Sequence, residues 1–137
     1  MSRHLRFLET TLEAIPEHAV LINEDGSIRF ANRAWVAFGQ ENGAGDADWT
    51  AKNYLDICDQ AANEGWSEAE HALEAIRSVL ADEQRLASMD YPCQGPDRER
   101  WFRMITSSFE DDGTRYAVVL HRDITNVETT HSQTSAA

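Results

Sequence analysis

One long hairpin near the carboxyl end decides the fold of this chain. Residues 98–125 read RERWFRMITSSFEDDGTRYAVVLHRDIT. Aromatic and β-branched residues dominate both arms, which favours strands that pack against a core. Asp112-Gly113 lies between the arms, and this dipeptide is typical of a tight hairpin turn because glycine adopts positive φ readily. The stretch therefore predicts two long paired strands that form the floor of the core.

Upstream of this hairpin, the apolar pattern predicts helices and shorter strands. Asp25-Gly26 indicates a second hairpin turn, and Asn32 is a good N-cap for a helix. Ser67 and Glu70 have the spacing of a capping box. The expected helices are 3–15, 33–38, 53–62 and 67–83, and the expected early strands are 18–23, 27–31 and 85–91, the last ended by Pro92.

This order of elements predicts an α+β fold. Five strands in one antiparallel sheet, with helices on one face and an N-terminal cap helix, accommodate all of the segments. We expect the cap helix at residues 1–15, the main domain at 16–125 and a frayed polar tail at 126–137. The length of 137 residues fits a single core.

The first helix carries a narrow apolar stripe. Leu5, Leu8, Leu12 and Ile15 recur at helical spacing. Such a stripe has two uses, since it can cover the domain that follows or pair with the same helix of a second copy. We expect the protein to form a homodimer through this stripe.

The charge balance excludes one class of partner. Asp and Glu number 24 against 12 Lys and Arg, giving a net charge of −12. Such a surface repels phosphates, so we expect no binding to nucleic acid. The acidity fits an ordinary acidic domain or a halophilic source, and the sequence leaves both open. No apolar run is long enough to span a membrane and no signal peptide is evident, so we expect a cytoplasmic protein that does not bind membranes.

An ordered set of motifs resembles the PAS domain family. The motifs span residues 12 to 125, most of the chain, and they occur in the family's order. They are Ala14-Ile15-Pro16 before the first strand, the hairpin 20–26, Ile28–Asn32 at the first short helix, Trp101-Phe102, and Asp123-Ile124-Thr125. The resemblance implies a sensory or regulatory domain that binds a small ligand, dimerises, and signals to a histidine kinase, cyclase, chemoreceptor or other regulator.

The resemblance also allows two cofactors to be examined. Light-sensing relatives use a helical Cys to form a flavin adduct, and Tyr54 stands at that position while Cys58 follows one turn later. Haem-binding relatives often use a His on the long helix, but His71 is expected to face solvent. We therefore expect neither a covalent flavin adduct nor haem, and the identity of any ligand is open. A ligand-free interaction module and a haem or flavin redox or gas sensor are the alternatives.

His121 is the most informative residue of the last strand. By register with photosensing relatives, it takes the place of their inward-facing glutamine, where an imidazole can bond a ligand. The alternative is a core histidine satisfied by a backbone or tyrosine partner. If His121 faces inward, strand alternation places a set of mostly apolar residues on the same face. This candidate pocket comprises Val20, Ile22, Phe102, Met104, Thr106, Val119 and His121.

Two further expectations complete the sequence-based interpretation. Asp123 and Thr125 resemble the residues through which the family passes its signal out of the domain. No H-E-x-x-H, G-x-S-x-G or phosphate-binding glycine loop is present, so we expect neither catalysis nor a metal site.

Overall fold

A computed structural model describes residues 3–41, 45, 47–94 and 99–125. The helices are α1 (Arg3–Ala14), α2 (Arg33–Glu41), α3 (Tyr54–Asn63) and α4 (Ser67–Leu80), with a short 3₁₀ helix at Trp49–Ala51. The strands are β1 (His18–Ile22), β2 (Ile28–Ala31), β3 (Leu86–Gln94), β4 (Glu99–Asp111) and β5 (Thr114–Asp123). The expected tail at 126–137 lies outside the described residues. None of the described helices is long and apolar enough to cross a membrane.

The strands form one antiparallel sheet in the order β2-β1-β5-β4-β3. The hairpin of residues 98–125 forms β4 and β5 of this sheet, with Asp111 opposite Thr114. Asp112 and Gly113 both have positive φ, 53° and 79°, so this is the two-residue turn that matches strand twist. The predicted α+β fold with a five-stranded sheet and an N-terminal helix is confirmed.

Different helices pack on the two faces of the sheet. Strand alternation sends Val20 and Ile22 of β1 towards α3 and α4, and sends Ala19 and Leu21 towards α1. Each set is buried in its own cluster of core residues. His121 lies on the face that α2, α3 and α4 cover.

Helix α1 packs its apolar stripe on the sheet of its own chain. Leu5 and Leu12 are buried there, and Leu8 and Ile15 pack against the same cluster. Leu5 and Leu12 are therefore not available for the expected homodimer contact, whereas Leu8 and Ile15 are only partly buried. The stripe therefore covers the domain that follows it in the chain, which is the first of its two expected uses.

Asn32 joins both layers at the point where α1, β1 and α2 meet. Its side chain is fully buried, and its Oδ1 accepts hydrogen bonds from the backbone N–H groups of Ala19 (3.1 Å) and Trp35 (2.9 Å). Its Nδ2 donates to the carbonyls of Leu12 (2.8 Å) and Glu17 (2.9 Å). The predicted N-cap is therefore present, and its amide also fastens α1 to the sheet.

Two local expectations were wrong. Strand β3 continues through Pro92 to Gln94, because β3 is an edge strand and a missing N–H is tolerated there. The N-cap of α4 is Trp66, without a side-chain hydrogen bond, and Ser67 is already helical, so the Ser67–Glu70 capping box does not form.

Candidate functional site

The candidate site is built around His121 on β5. Its Nε2 lies 2.8 Å from Tyr54 Oη of α3, and its Nδ1 lies 2.5 Å from Tyr91 Oη of β3. A neutral imidazole has one donor and one acceptor, whereas a tyrosine hydroxyl can fill either role. One tyrosine therefore donates to His121 and the other accepts from it. These three residues, the Tyr54–His121–Tyr91 bridge, span from α3 to the edge strand.

Local contacts at the first hairpin turn position Tyr54. The Tyr54 N–H donates to the carbonyl of Gly26 at 2.8 Å, and Asn53 Nδ2 donates to the carbonyl of Asp25 at 3.0 Å. Gly26 has φ +93°, and a Cβ there would lie 2.7 Å from the Leu55 side chain. Only glycine permits this close approach of the turn to α3.

Two cavities border the bridge. The α4 cavity, about 270 Å³, lies between α3, α4, β3 and β4 and is lined by small and sulfur-containing side chains such as Cys58, Ala61, Met89 and Met104. The aromatic cavity, about 300 Å³, lies beside α2. Its lining residues are His18, Trp35, Phe38, Gly39, Trp49, Tyr54, Ile57, Tyr91, Phe102 and His121. Tyr54, Ile57, Tyr91 and His121 line both, so the bridge is their common wall.

Burial keeps four groups that line these cavities uncharged near neutral pH, namely His18, Tyr54, Cys58 and His121. It lowers the pKa of His121 to about 3, and His18, opposite it on β1, lowers that pKa further. Burial likewise lowers the pKa of His18, although Asp123 and Glu41 act in the other direction. It raises the pKa of Tyr54 well above its usual range and the pKa of Cys58 to about 11. His121 and Tyr54 therefore offer hydrogen-bonding groups without a formal charge, whereas Glu68 adds a carboxyl group to the lining of the α4 cavity.

The structure divides the seven candidate pocket residues into two groups. His121 lines both cavities, Met104 lines the α4 cavity and Phe102 lines the aromatic cavity. The remaining four are buried on the same face but line neither cavity. These are Val20, Ile22, Thr106 and Val119.

The sequence interpretation missed four residues of the site. Tyr91 shares its face with Met89 on β3, a period-two pattern that alternation would have found. Tyr54 was noted only as a replacement for a reactive cysteine, although that position faces a ligand in light-sensing relatives. Trp35 and His18 carried no distinctive signal. His71, as expected, is exposed on α4.

Asp123 and Thr125, the expected signal exit, are anchored by hydrogen bonds at the end of β5. Asp123 Oδ1 accepts hydrogen bonds from the N–H (2.9 Å) and Oγ1 (2.6 Å) of Thr125. Thr125 Oγ1 in turn accepts from the N–H of Trp101 at 3.0 Å, and Ile124 N–H donates to the carbonyl of Trp101 at 2.8 Å. The chain thus leaves the sheet fastened to β4, two residues beyond His121.

Comparison with known proteins identifies relatives in sequence. Residues 12–129 match the family described as PAS fold. An uncharacterized 104.1 kDa protein in the hypE 3'region of Rhodobacter capsulatus is 37% identical over 142 residues. That match covers 99% of this chain and only 14% of the relative's length.

Solved structures show the same fold at low sequence identity. The PAS domain of BvgS from Bordetella pertussis matches with a TM-score of 0.67 and 16% identity, over 99% of this chain and 100% of that one. The phage VqmA–DPO complex matches with a TM-score of 0.63 and 13% identity, over 97% and 58%. A domain of an HTR-like protein from Haloarcula marismortui matches with a TM-score of 0.55 and 18% identity, over 81% and 100%.

Proposed function

Because this chain belongs to the PAS-fold family, we propose that it is a non-enzymatic sensory or regulatory domain that binds a small molecule between its helices and its sheet. The observation that carries this proposal is the Tyr54–His121–Tyr91 bridge between two cavities. An apolar cavity with a few convergent polar groups is the usual form of a small-molecule site.

The bridge also offers a route for a signal. A ligand that hydrogen-bonds to Tyr54 competes with or reorients its bond to His121, which lies two residues before Asp123 on β5. The bonds of Asp123 and Thr125 hold the chain exit against Trp101, so a shift of β5 acts directly on that exit. We expect the ligand to change the population of two arrangements of this exit.

Two of the similar proteins support this role. Phage VqmA is described in complex with DPO, and the BvgS domain is itself a PAS domain. The Rhodobacter capsulatus relative is far longer than the matched region, which leaves room for output segments. A histidine kinase, cyclase, chemoreceptor or other regulator is the proposed class of output partner.

Mass spectrometry of the purified protein tests ligand binding. We expect the chain isolated from its own host to retain a small molecule that denaturation releases. Ala61→Phe, which fills part of the α4 cavity, should lose most of it. Gln60→Phe, at the neighbouring exposed position of α3, should retain it.

A negative result has a clear form. Ligand binding is refuted if the wild-type protein carries no more small molecule than Ala61→Phe and if no compound of a fragment library raises its Tm. A ligand that stabilises only the folded state must raise Tm at sufficient concentration.

A second function, self-association, is favoured by one observation. Phe7 lies on the side of α1 away from the sheet and is 75% exposed. An apolar ring in this position is suited to a contact with a second copy, which would keep the predicted homodimer but move its interface away from the stripe. Self-association would also be the function of the chain if it is a ligand-free interaction module.

Light scattering tests this second function. We expect a dimer at micromolar concentration that Phe7→Glu converts to a monomer. Gln60→Glu adds the same charge at an exposed position of α3, on the opposite face of the sheet, and should leave the dimer intact. A wild-type monomer, or equal effects of the two variants, would exclude Phe7 as the contact.

A further inference from the structure

The lining of the α4 cavity contains a single charged side chain. Of the thirteen described residues that line it, Glu68 is the only Asp, Glu, Lys or Arg. Glu68 belongs to none of the ion pairs in the described part of the chain. The other lining residues are apolar or uncharged, and burial keeps the His121 imidazole neutral. Among the described residues, no cation therefore pairs with the one acidic group of this cavity.

Glu68 lies at the mouth of the cavity, in the first turn of α4. Its side chain is half-buried, and Trp66, the residue before α4 that also lines the cavity, is 55% exposed. Ala72 and Met104, in contrast, are buried. Because the exposed lining residues lie nearest to solvent, the cavity leads from an acidic and aromatic mouth into an apolar interior.

The charges at this mouth favour a cation over an anion. A helix N-terminus carries a partial positive charge of about half a unit, but Glu68 and Glu70 both lie in the first turn of α4 and outweigh it. The net charge of −12 on the whole chain also attracts cations. An anionic group at the mouth would meet Glu68 with no basic side chain, among the described lining residues, to offset the repulsion.

Trp66 adds a second attraction for a cation. The face of an aromatic ring attracts a cation through its quadrupole, and tryptophan is the most effective side chain in this respect. A primary ammonium group also donates hydrogen bonds, which a carboxylate accepts. Trp66 and Glu68 line the same cavity, so an ammonium group at its mouth lies near both.

Resting on the proposed ligand-binding role, we propose that the α4 cavity binds a small amphipathic amine, with its apolar body inside the cavity and its ammonium group at the mouth beside Glu68 and Trp66. The volume of about 270 Å³ is at the small end of ligand sites, which limits the apolar body to a single ring or a short branched chain. The ammonium group stays in contact with water, so it avoids the cost of burying a charge. Glu68 is thus the residue that selects the charge of the ligand.

Three probes that share a phenyl ring test this inference on the 137-residue chain. At about pH 7.5, 2-phenylethylamine is a cation, 2-phenylethanol is neutral and 3-phenylpropionate is an anion. We expect NMR titration to show that the amine binds about fivefold more tightly than the alcohol, as an exposed ion pair and a cation–π contact together provide. The acid should bind more weakly than the alcohol. Salt at about 1 M should bring the amine and the alcohol within about twofold of each other, because it screens exposed charges.

Matched variants assign the preference for the amine to one carboxyl group. Glu68→Gln should bring the amine and the alcohol within about twofold of each other. Glu70→Gln removes the same charge from the same turn of α4, at an exposed position outside the cavity lining, and should preserve the preference. Ala61→Phe fills space for the phenyl ring and should weaken both probes alike. The wild-type preference and its salt dependence need no variant, so a folding defect does not obscure the result.

Several results overturn the inference. They are an alcohol or an acid that binds as tightly as the amine, a preference that Glu68→Gln leaves unchanged, and equal losses of preference in Glu68→Gln and Glu70→Gln, which would show only a long-range effect of net charge. If the host protein retains a neutral or anionic ligand that Ala61→Phe loses, this inference fails and the proposed function stands. If no ligand is retained and no compound binds, both fail.

Discussion

The two faces of the sheet are built from alternate residues of the same strands, yet they are packed differently. On the α1 face, aliphatic side chains such as Leu5, Leu12 and Leu21 form a buried cluster covered by one helix. On the opposite face, three helices leave two cavities, and polar atoms of His121, Tyr54 and Trp35 lie within the core. One face is closely packed, and the other contains two cavities bordered by polar side chains.

The difference arises from the shapes of the side chains that meet. Leucines on α1 fill the grooves of the sheet, as close packing requires. Under α3 and α4, small residues such as Ala61, Ala69 and Ala72 face rigid rings that cannot move in to fill the space. Aromatic rings and alanines together thus leave the α4 cavity unfilled.

The largest expected loss of stability follows from replacing Asn32, the residue that joins α1 to the sheet and to α2. Asn32→Ala removes the acceptor of two backbone N–H groups and the donor to two carbonyls, all at a buried position. We expect a loss of about 3–5 kcal/mol in the free energy of unfolding, since each buried group left unpaired costs about 1–3 kcal/mol. Urea unfolding measures it. Asn63→Ala, an exposed position on α3, should change stability little. A loss under about 1 kcal/mol would show that water replaces the amide.

The next effect compares the faces directly. Leu12→Ala creates a cavity in the closely packed α1 face and should cost about 2–4 kcal/mol. Met89→Ala removes a side chain of similar size from the half-buried wall of the α4 cavity, which has empty space already, and should cost about half as much. The measurement is urea unfolding of both variants under one condition. Equal costs would mean that the two faces do not differ in packing.

The smallest expected effect is the pH dependence of stability that His121 causes on the face with the cavities. Because the folded pKa of His121 is about 3 and the unfolded value is near 6.5, the unfolded state takes up the proton first as pH falls. The contribution of His121 to the free energy of unfolding is therefore complete above about pH 6.5 and decreases as the pH falls towards about 3. The decrease between pH 7 and pH 5 is about 2 kcal/mol.

A histidine variant isolates this contribution from that of other groups. His121→Gln cannot titrate, so its loss of stability between pH 7 and pH 5 should be smaller than that of the wild type by this amount. His71→Gln, at an exposed position, should follow the wild type. His18, Tyr54, Tyr91 and Cys58 share the walls with His121 and remain in both variants. Parallel curves for the wild type and His121→Gln would mean that the folded imidazole is protonated at pH 5.

Much of the architecture was predictable because its causes are local. The Asp112-Gly113 turn, the N-cap at Asn32 and the stripe on α1 each follow from residue types and their spacing. The errors occurred where context overrides local preference. Pro92 does not end β3, because the strand lies at an edge of the sheet. The α1 stripe packs on an apolar face of its own sheet, which spacing along the chain could not decide.

The sequence by itself determined the fold and the apolar character of the strand neighbours of His121, and it left open whether this imidazole bonds a ligand or a tyrosine. Only the tertiary structure brought Tyr54, from 67 residues away in sequence, and Tyr91 onto the two nitrogens of one imidazole. The physical reason is that alternation along a strand fixes which face a side chain takes, whereas the partner it meets depends on how helices cross that face. The tertiary structure alone also shows that Trp35 of α2 packs against His121 of β5 and that its indole Nε1 has no hydrogen-bond partner in the described part of the chain.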